Sequence, residues 1–183
     1  MDLNGFKRVS FEDFNFNSFT LIGETWALLT AGNKKDGLNT MTISWGQMGV
    51  LWQDASSEKN KILGTPVVTV YVRPQRYTKV FIDKEEKLTL SFFFNSHKKD
   101  LTYLGSVSGK DVNKLANTNL TTLEFDGTTA FKEADLIIEC EKIYTDQIKE
   151  SNFINKNILN TSYPLKDFHT FYTCKILNIY QKL

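Results

Sequence analysis

The stretch Asn39-Thr40-Met41-Thr42-Ile43-Ser44-Trp45-Gly46 alternates apolar and hydroxyl side chains. A period of two is typical of a β-strand with one face toward the core and the other toward a polar environment. Met41, Ile43 and Trp45 therefore share one face, and three hydroxyl side chains share the other. Such hydroxyls can hydrogen-bond to the carbonyl and hydroxyl groups of a ligand, although a strand with one solvated face gives the same pattern.

A second stretch, Arg73-Pro74-Gln75-Arg76-Tyr77-Thr78, contains two of the three arginines of a chain that has 22 basic residues. It follows a valine-rich run, so both arginines lie where a strand ends and a turn begins. The planar guanidinium group binds phosphate or carboxylate through two parallel hydrogen bonds, which Lys cannot do. The turn therefore indicates an anion site, while solvated or salt-bridged arginines remain the alternative.

The rest of the 183-residue chain favours one mainly β domain spanning 1–183. One helix is predicted to be capped by Thr78 and to run through Lys84, and a second to be capped by Ser96 and to run through Tyr103. A third is predicted after Ser108, which begins a sequence that resembles a capping box. Residues 11–23 are rich in Phe and Asn and indicate an irregular arm. Together, these elements predict an antiparallel β-barrel with a few short helices. Its six strands are predicted at 26–31, 39–45, 66–72, 88–94, 134–144 and 171–180.

Composition excludes several classes of function. The formal net charge is +1, which favours neither nucleic acid nor an anionic membrane as a partner. The chain has no apolar stretch of the ~18 residues that a membrane helix needs, and no signal peptide is evident, so we expect a cytoplasmic protein. Only His97 and His169 are available as imidazole ligands, so no metal site is expected. Cys140 and Cys174 are predicted to be buried thiols.

Two common nucleotide signatures are absent from the sequence. No Gly-x-Gly-x-x-Gly follows a predicted strand, so a dinucleotide-binding fold of that kind is unsupported. The segment from Gly105 to Asp111 superficially resembles a phosphate-binding loop. It is one residue too short between its glycines, however, and Asp111 stands where Ser or Thr would bind magnesium.

Several short motifs, taken in order and with their spacing, resemble the flavin reductase-like proteins of the FMN-binding split-barrel class, particularly the flavoredoxin-like branch. Any one motif is weak, but the series covers most of the chain. A polar stretch at 54–63 departs from the family pattern as an insertion, and it puts the identity of the substrate in doubt. The motifs are Trp26-Ala27-Leu28-Leu29-Thr30, the two stretches quoted above with Val70-Tyr71-Val72 before the second, 103–114, Ile138-Glu139-Cys140, and Asp167-x-His169.

The resemblance implies a six-stranded split barrel that binds FMN non-covalently at a homodimer interface. It implies that Asn39, Thr40, Met41, Thr42 and Ser44 line the isoalloxazine ring and ribityl chain, and that Arg73, Arg76, Tyr77 and Thr78 hold the phosphate. It further suggests Ser108, Lys110, Asp111, Lys114 and His169 beside the flavin. A flavin phosphate is a dianion near neutral pH, and paired guanidinium groups suit it.

The expected function is that of an FMN-dependent oxidoreductase. Electrons would pass from NAD(P)H or a reduced protein through FMN to a small acceptor, and the flavin itself would carry out the transfer. His169 is the candidate proton donor, although a buried structural histidine is an equally open interpretation. An FMN-binding electron carrier without its own substrate is the alternative, and a split-barrel relative with another cofactor is a third. For Trp45 and Trp52, packing in the barrel or a contact in the dimer is favoured over stacking on the flavin.

Overall fold

The structure is a computed structural model that describes residues 3, 5–53, 64–94, 96–125 and 127–183. The prediction of a polar insertion at 54–63 lies outside the described residues. The described residues form a mainly β fold with short helices, which confirms the predicted fold class. The strands are β1 (Phe6–Val9), β2 (Ala27–Asn33), β3 (Gly37–Ile43), β4 (Gly46–Leu51), β5 (Thr65–Val72), β6 (Lys87–Phe92), β7 (Thr122–Phe125), β8 (Thr128–Phe131), β9 (Leu136–Gln147) and β10 (Thr170–Lys182).

One antiparallel sheet of eight strands organises the fold. Its order is β3-β2-β6-β9-β10-β5-β4, and β1 also pairs with β10. The six strands expected from the sequence correspond to β2, β3, β5, β6, β9 and β10. The short strands β1 and β4 extend this set, and β7 and β8 form a separate hairpin. The sheet brings the ends of β3, β5 and β10 to one side of the molecule, although these strands are far apart in sequence.

The α-helices are α1 (Ser18–Thr20), α2 (Thr78–Lys84), α3 (Lys98–Ser106) and α4 (Asn157–Ser162), with a π-helix at Leu21–Thr25 and 3₁₀ helices at Lys114–Asn117 and Glu150–Asn152. The prediction that α2 ends at Lys84 is confirmed, but Thr78 is its first residue and not its cap, because Tyr77 occupies the N-cap position without a side-chain hydrogen bond. The helix predicted to be capped by Ser96 begins at Lys98 and has no side-chain cap. The prediction of a helix directly after Ser108 is wrong, because that segment folds as a turn before the 3₁₀ helix. In the turn, the hydroxyl of Ser108 accepts a hydrogen bond from the Lys110 backbone, which competes with helix formation.

Two apolar clusters lie on opposite faces of the sheet. One is built from the inner faces of β2, β3, β5, β6, β9 and β10, and the side chains of Phe11, Phe14 and Phe16 pack against it. The arm predicted from its phenylalanines therefore helps to close the core. The second cluster lies between the sheet, α3 and the β7–β8 hairpin. Cys140 and Cys174 are fully buried, as expected.

Candidate functional site

Two adjoining cavities lie along β3 and together form one groove. The first, called here the aromatic cavity, has a volume of about 210 Å³ and is lined by 41–45, Tyr71, Arg73, Arg76 and His169. The second, called the cationic cavity, has a volume of about 120 Å³. Both cavities are lined by Met41 and Arg76, so they adjoin at these two side chains. The cationic cavity is lined by Asn39, Met41, 75–78, Leu104, 106–109 and Lys114.

Three aromatic side chains surround His169 beside the aromatic cavity. The ring centroid of Trp45 lies 5.1 Å from that of His169, and Tyr71 meets the imidazole edge-on at 6.4 Å. The hydroxyl of Tyr163 lies 2.8 Å from Nδ1 of the same ring. Burial, with a smaller contribution from the Arg73 guanidinium, lowers the pKa of His169 to about 4. The imidazole is therefore neutral at pH 7, with one ring nitrogen that donates a hydrogen bond and one that accepts.

Arg73 is already paired within the protein. Its guanidinium group donates to the carboxylate of Asp167 and, at 2.8 Å, to the backbone oxygen of Ser162. Gln75 donates to the same carboxylate at 2.8 Å, and these two hydrogen bonds hold the pKa of Asp167 below its usual range. Arg73 borders the aromatic cavity, but its charge is largely neutralised by Asp167. Its main contacts therefore fix the segment that carries His169.

Arg76 and Lys114 meet in the cationic cavity, and their charges are not neutralised. The guanidinium group of Arg76 donates to the backbone oxygen of Gly105 at 3.0 Å, and Nζ of Lys114 donates to that of Leu104 at 3.2 Å. Lys114 is only 4% exposed. Burial, and then the charge of Arg76, lowers the pKa of Lys114 to about 8. No carboxylate forms a salt bridge with either side chain in the described part of the chain, so the two charges favour an anion between them.

The wall of the groove opposite β3 comes close to that strand at two glycines. A Cβ atom on Gly109 would lie 2.5 Å from Oδ1 of Asn39, whose side chain is buried and donates to the hydroxyl of Thr78 at 3.1 Å. A Cβ atom on Gly105 would lie 3.2 Å from Cβ of Thr42. The glycines that superficially resembled a phosphate loop thus let the segment after α3 pack against β3 and narrow the cationic cavity.

Comparison with solved structures identifies the fold. Flavoredoxin of Desulfovibrio vulgaris (Miyazaki F) superposes with a TM-score of 0.58 at 20% identity over 84% of this chain and 67% of its own. An FMN-binding domain of a flavin reductases-like enzyme from Shewanella baltica OS155 gives 0.62 at 16%, over 100% and 79%. The flavin reductase of styrene monooxygenase from Pseudomonas putida S12 gives 0.56 at 15%, over 85% and 77%. The chain has the flavin reductase-like fold. No protein-family model and no curated protein sequence matches it.

Within the flavin reductase-like fold, most of the predicted site residues line the groove. Lys110 and Asp111 line a third cavity of about 400 Å³, which adjoins the cationic cavity at Asn39, Gly109 and Lys114. The predicted residues that line the aromatic cavity are Met41, Thr42, Ser44, Arg73, Arg76 and His169. Those that line the cationic cavity are Asn39, Met41, Arg76, Tyr77, Thr78, Ser108 and Lys114.

Two of the predicted hydroxyl groups bond within the protein. Thr40 is fully buried and lines none of the three cavities, because its hydroxyl accepts from Thr30 at 2.9 Å and donates to the backbone oxygen of Leu29. The hydroxyl of Thr42 donates to the backbone oxygen of Leu101. Strand β3 therefore does not present the expected row of three free hydroxyl donors to the groove.

Sequence reasoning missed two tyrosines that contact His169, of which Tyr71 lines the aromatic cavity and Tyr163 lies behind it. Tyr71 interrupts a valine-rich strand, and this position alone could have marked it as a residue that borders a cavity. Tyr163 carries no local signal, because its contact with His169 depends on a turn. In the described ranges no group of three or more His, Cys, Asp or Glu side chains could hold a metal ion. The helices of the same ranges are all too short or too polar to cross a membrane.

Proposed function

We propose that this chain binds FMN in the groove and acts as a flavin-dependent oxidoreductase. The observation that carries the proposal is the change of chemistry along the groove. One end is lined by aromatic rings and a neutral imidazole, with Arg73 paired to Asp167, and the other end holds Arg76 together with the buried Lys114. FMN has the same polarity, because a planar uncharged ring system is joined through a hydroxylated chain to a phosphate dianion. The fold shared with FMN-binding proteins supports the same assignment.

The residues present fit such a ligand. Trp45 and His169 would offer the ring system apolar surface, and Met41 lies where the two cavities meet. Arg76 and Lys114 would hold the phosphate through charge-assisted hydrogen bonds, which are stronger than neutral ones. Bound flavin would supply the electron or hydride transfer. The chain's own side chains would bind and orient it, and would exclude water from its ring.

The electron donor and acceptor remain proposals. We propose that reduced nicotinamide or a reduced protein supplies electrons and that a small molecule accepts them. The similar structures include a flavin reductase and a flavoredoxin, so an electron carrier without its own substrate is the second candidate. Steady-state oxidation of NADH and NADPH, with and without an added acceptor, separates these functions. Turnover supports the reductase, whereas stoichiometric flavin reduction by a protein donor without turnover supports the carrier.

The binding proposal is tested by titrating apoprotein with FMN and with riboflavin, which lacks the phosphate. Arg76→Ala should weaken FMN about ten- to a hundredfold, because it removes a charge-assisted hydrogen bond worth roughly 1.5–3 kcal/mol. It should leave riboflavin nearly unchanged. Arg8→Ala is the matched control, because it removes the same charge from β1, outside the groove. Equal losses for both ligands in Arg76→Ala would contradict phosphate binding by Arg76.

We also propose that the protein is a homodimer. Strand β4 is an edge of the sheet, and Val50, Leu51 and the following Trp52 are between 40% and 53% exposed. The ring of Trp52 contacts that of Tyr144 at 6.0 Å, which extends the apolar surface across to β9. A stable interface would bury on the order of 2,000 Å². Sedimentation of the FMN-loaded protein should give a dimer, and a stable monomer would contradict this proposal.

A further inference from the structure

Tyr163 and His169 form a hydrogen-bonded pair behind the aromatic cavity. The Tyr163 hydroxyl lies 2.8 Å from Nδ1 of His169, and the two residues are 5% and 7% exposed. The imidazole lines the cavity, whereas Tyr163 does not. Since Nδ1 is engaged by Tyr163 and the imidazole lines the cavity, Nε2 is the ring nitrogen that remains for a ligand there.

The backbone between these two residues is held at several points. Arg73 binds both the Asp167 carboxylate and the backbone oxygen of Ser162, and its guanidinium carbon lies 5.3 Å from the centre of the Tyr163 ring. The backbone amide of Ile148 donates to the oxygen of His169 at 2.9 Å, which ties the end of the segment to β9. These contacts hold the backbone on both sides of the pair and place the two rings next to each other.

The hydrogen-bond requirements of the pair select one tautomer. A buried tyrosine hydroxyl must donate its proton to an acceptor, and the described residues offer it no partner other than His169. If the hydroxyl donates to Nδ1, both groups are satisfied and the ring proton is on Nε2. If Nδ1 carried the proton instead, the hydroxyl would lose its acceptor, at a cost typical of an unsatisfied buried group. Burial also keeps the Tyr163 hydroxyl protonated, because it raises the pKa.

We propose that Tyr163 is a positioning residue that holds His169 as the Nε2–H tautomer, so that the aromatic cavity presents one neutral N–H donor to a carbonyl oxygen of its ligand. The carbonyl belongs to the isoalloxazine ring or to an acceptor bound against it, and this part rests on the proposed function. The role differs from that of an acid, because a neutral imidazole polarises a carbonyl group without giving up its proton.

The tautomer is tested by the ¹⁵N shifts of the imidazole rings in apoprotein between pH 6 and 8. His97 is the only other histidine, so a His97→Asn variant assigns the signals of His169. The wild type should show Nε2 protonated and Nδ1 unprotonated. Tyr163→Phe keeps the ring and should give a mixture of the two tautomers. Tyr71→Phe is the matched control, since Tyr71 contacts the same imidazole only through its ring, and it should leave the tautomer unchanged. A protonated Nδ1 in the wild type, or no change in Tyr163→Phe, would overturn the proposal.

A second measurement does not depend on the folding of Tyr163→Phe. A Gln side chain can place an N–H donor near the position of Nε2 of His, whereas the shorter Asn side chain cannot. His169→Gln should therefore keep riboflavin affinity within about threefold of the wild type, and His169→Asn should lose up to about tenfold, the effect of one neutral hydrogen bond. Equal affinities for the two variants would show that the donor does not contact the flavin.

The source of the carbonyl is then decided by the ¹⁵N shift of Nε2 in the wild type. A shift on addition of riboflavin identifies the flavin carbonyl. A shift only when benzaldehyde is added to FMN-loaded protein identifies an acceptor carbonyl. The absence of any shift with either ligand would overturn the donor role. Loss of FMN binding in Arg76→Ala with the tautomer intact would separate failure of this inference from failure of the phosphate site.

Discussion

The aromatic and cationic cavities differ in charge, although they adjoin and share Arg76. In the aromatic cavity, Arg73 is neutralised by Asp167 and His169 is uncharged at pH 7. In the cationic cavity, Arg76 and the buried Lys114 donate to backbone oxygens, and neither forms a salt bridge with the part of the chain that the structure describes. Two arginines of the same turn therefore have different roles, because a carboxylate lies beside one of them and not beside the other.

The difference shows that the number of basic residues near a cavity does not give its affinity for an anion. A guanidinium group that already shares its donors with Asp167 and Ser162 has little left to offer a phosphate. A lysine that has been buried without a carboxylate gains more from an anion, because the cost of burying its charge is then partly recovered. Removing each charge in turn tests whether the two cavities differ in their affinity for an anion.

The largest effect is expected from Arg76→Ala combined with Lys114→Met. Two charge-assisted hydrogen bonds of roughly 1.5–3 kcal/mol each would be lost, which corresponds to about a hundred- to ten-thousandfold in FMN affinity. Riboflavin affinity should change by no more than about threefold. Fluorescence titration of both ligands measures the effect. Weak FMN binding together with equally weak riboflavin binding would mean that these residues support the fold and not the phosphate.

The next largest effect is expected from Gly109→Ala. The new Cβ atom would lie 2.5 Å from the buried Asn39 amide, which is held by Thr78, so the wall of the cationic cavity must move. Overpacking of this kind costs about 1–3 kcal/mol of unfolding free energy. Urea unfolding measures it, with Gly49→Ala as the control, since nothing lies within 4 Å of a Cβ atom at that position. Equal stabilities for the two variants would contradict the close approach.

A smaller effect on FMN affinity is expected when a rise in pH removes the charge of Lys114. Its pKa is lowered to about 8 in the folded protein, so its charge is progressively lost above that pH. FMN affinity should fall as the pH rises above about 8, by at most tenfold per pH unit, and Lys114→Met should abolish this dependence. Apoprotein stability should change in the opposite sense. The unfolded chain binds the proton up to about its ordinary pKa of 10.5, so this group makes stability rise between about pH 8 and 10.5.

The smallest effect on affinity is expected from Arg73→Ala. Because Arg73 holds the segment that carries His169, its loss should weaken FMN and riboflavin equally, by a few-fold, and lower the urea midpoint of unfolding. Sequence reasoning instead predicts a phosphate role for Arg73 equal to that of Arg76. Selective loss of FMN affinity in Arg73→Ala would support that earlier prediction and would contradict the difference between the two cavities.

Much of the fold was accessible from local sequence patterns. The period of two in residues 39–45 marks β3, and the position of α2 follows from the turn before it. The predictions failed where two local signals compete. Ser108 has the spacing of a helix cap, but the turn that its hydroxyl stabilises prevails. Thr40 has a hydroxyl suited to a ligand, but β3 pairs with β2 and Thr30 takes that bond instead.

The sequence by itself determined the six longer strands, the turn with two arginines and the family resemblance, because alternation and turn chemistry depend on residues close together in the chain. Tertiary structure alone decided which charges are free. Asp167 is paired with Arg73 although 94 residues separate them in the sequence. The two meet because Arg73 follows β5, Asp167 precedes β10, and these strands pair antiparallel. The burial of Lys114 and the contact of Tyr163 with His169 are likewise set by packing. The chemistry of each titratable group depends on its neighbours in space, which local sequence does not specify.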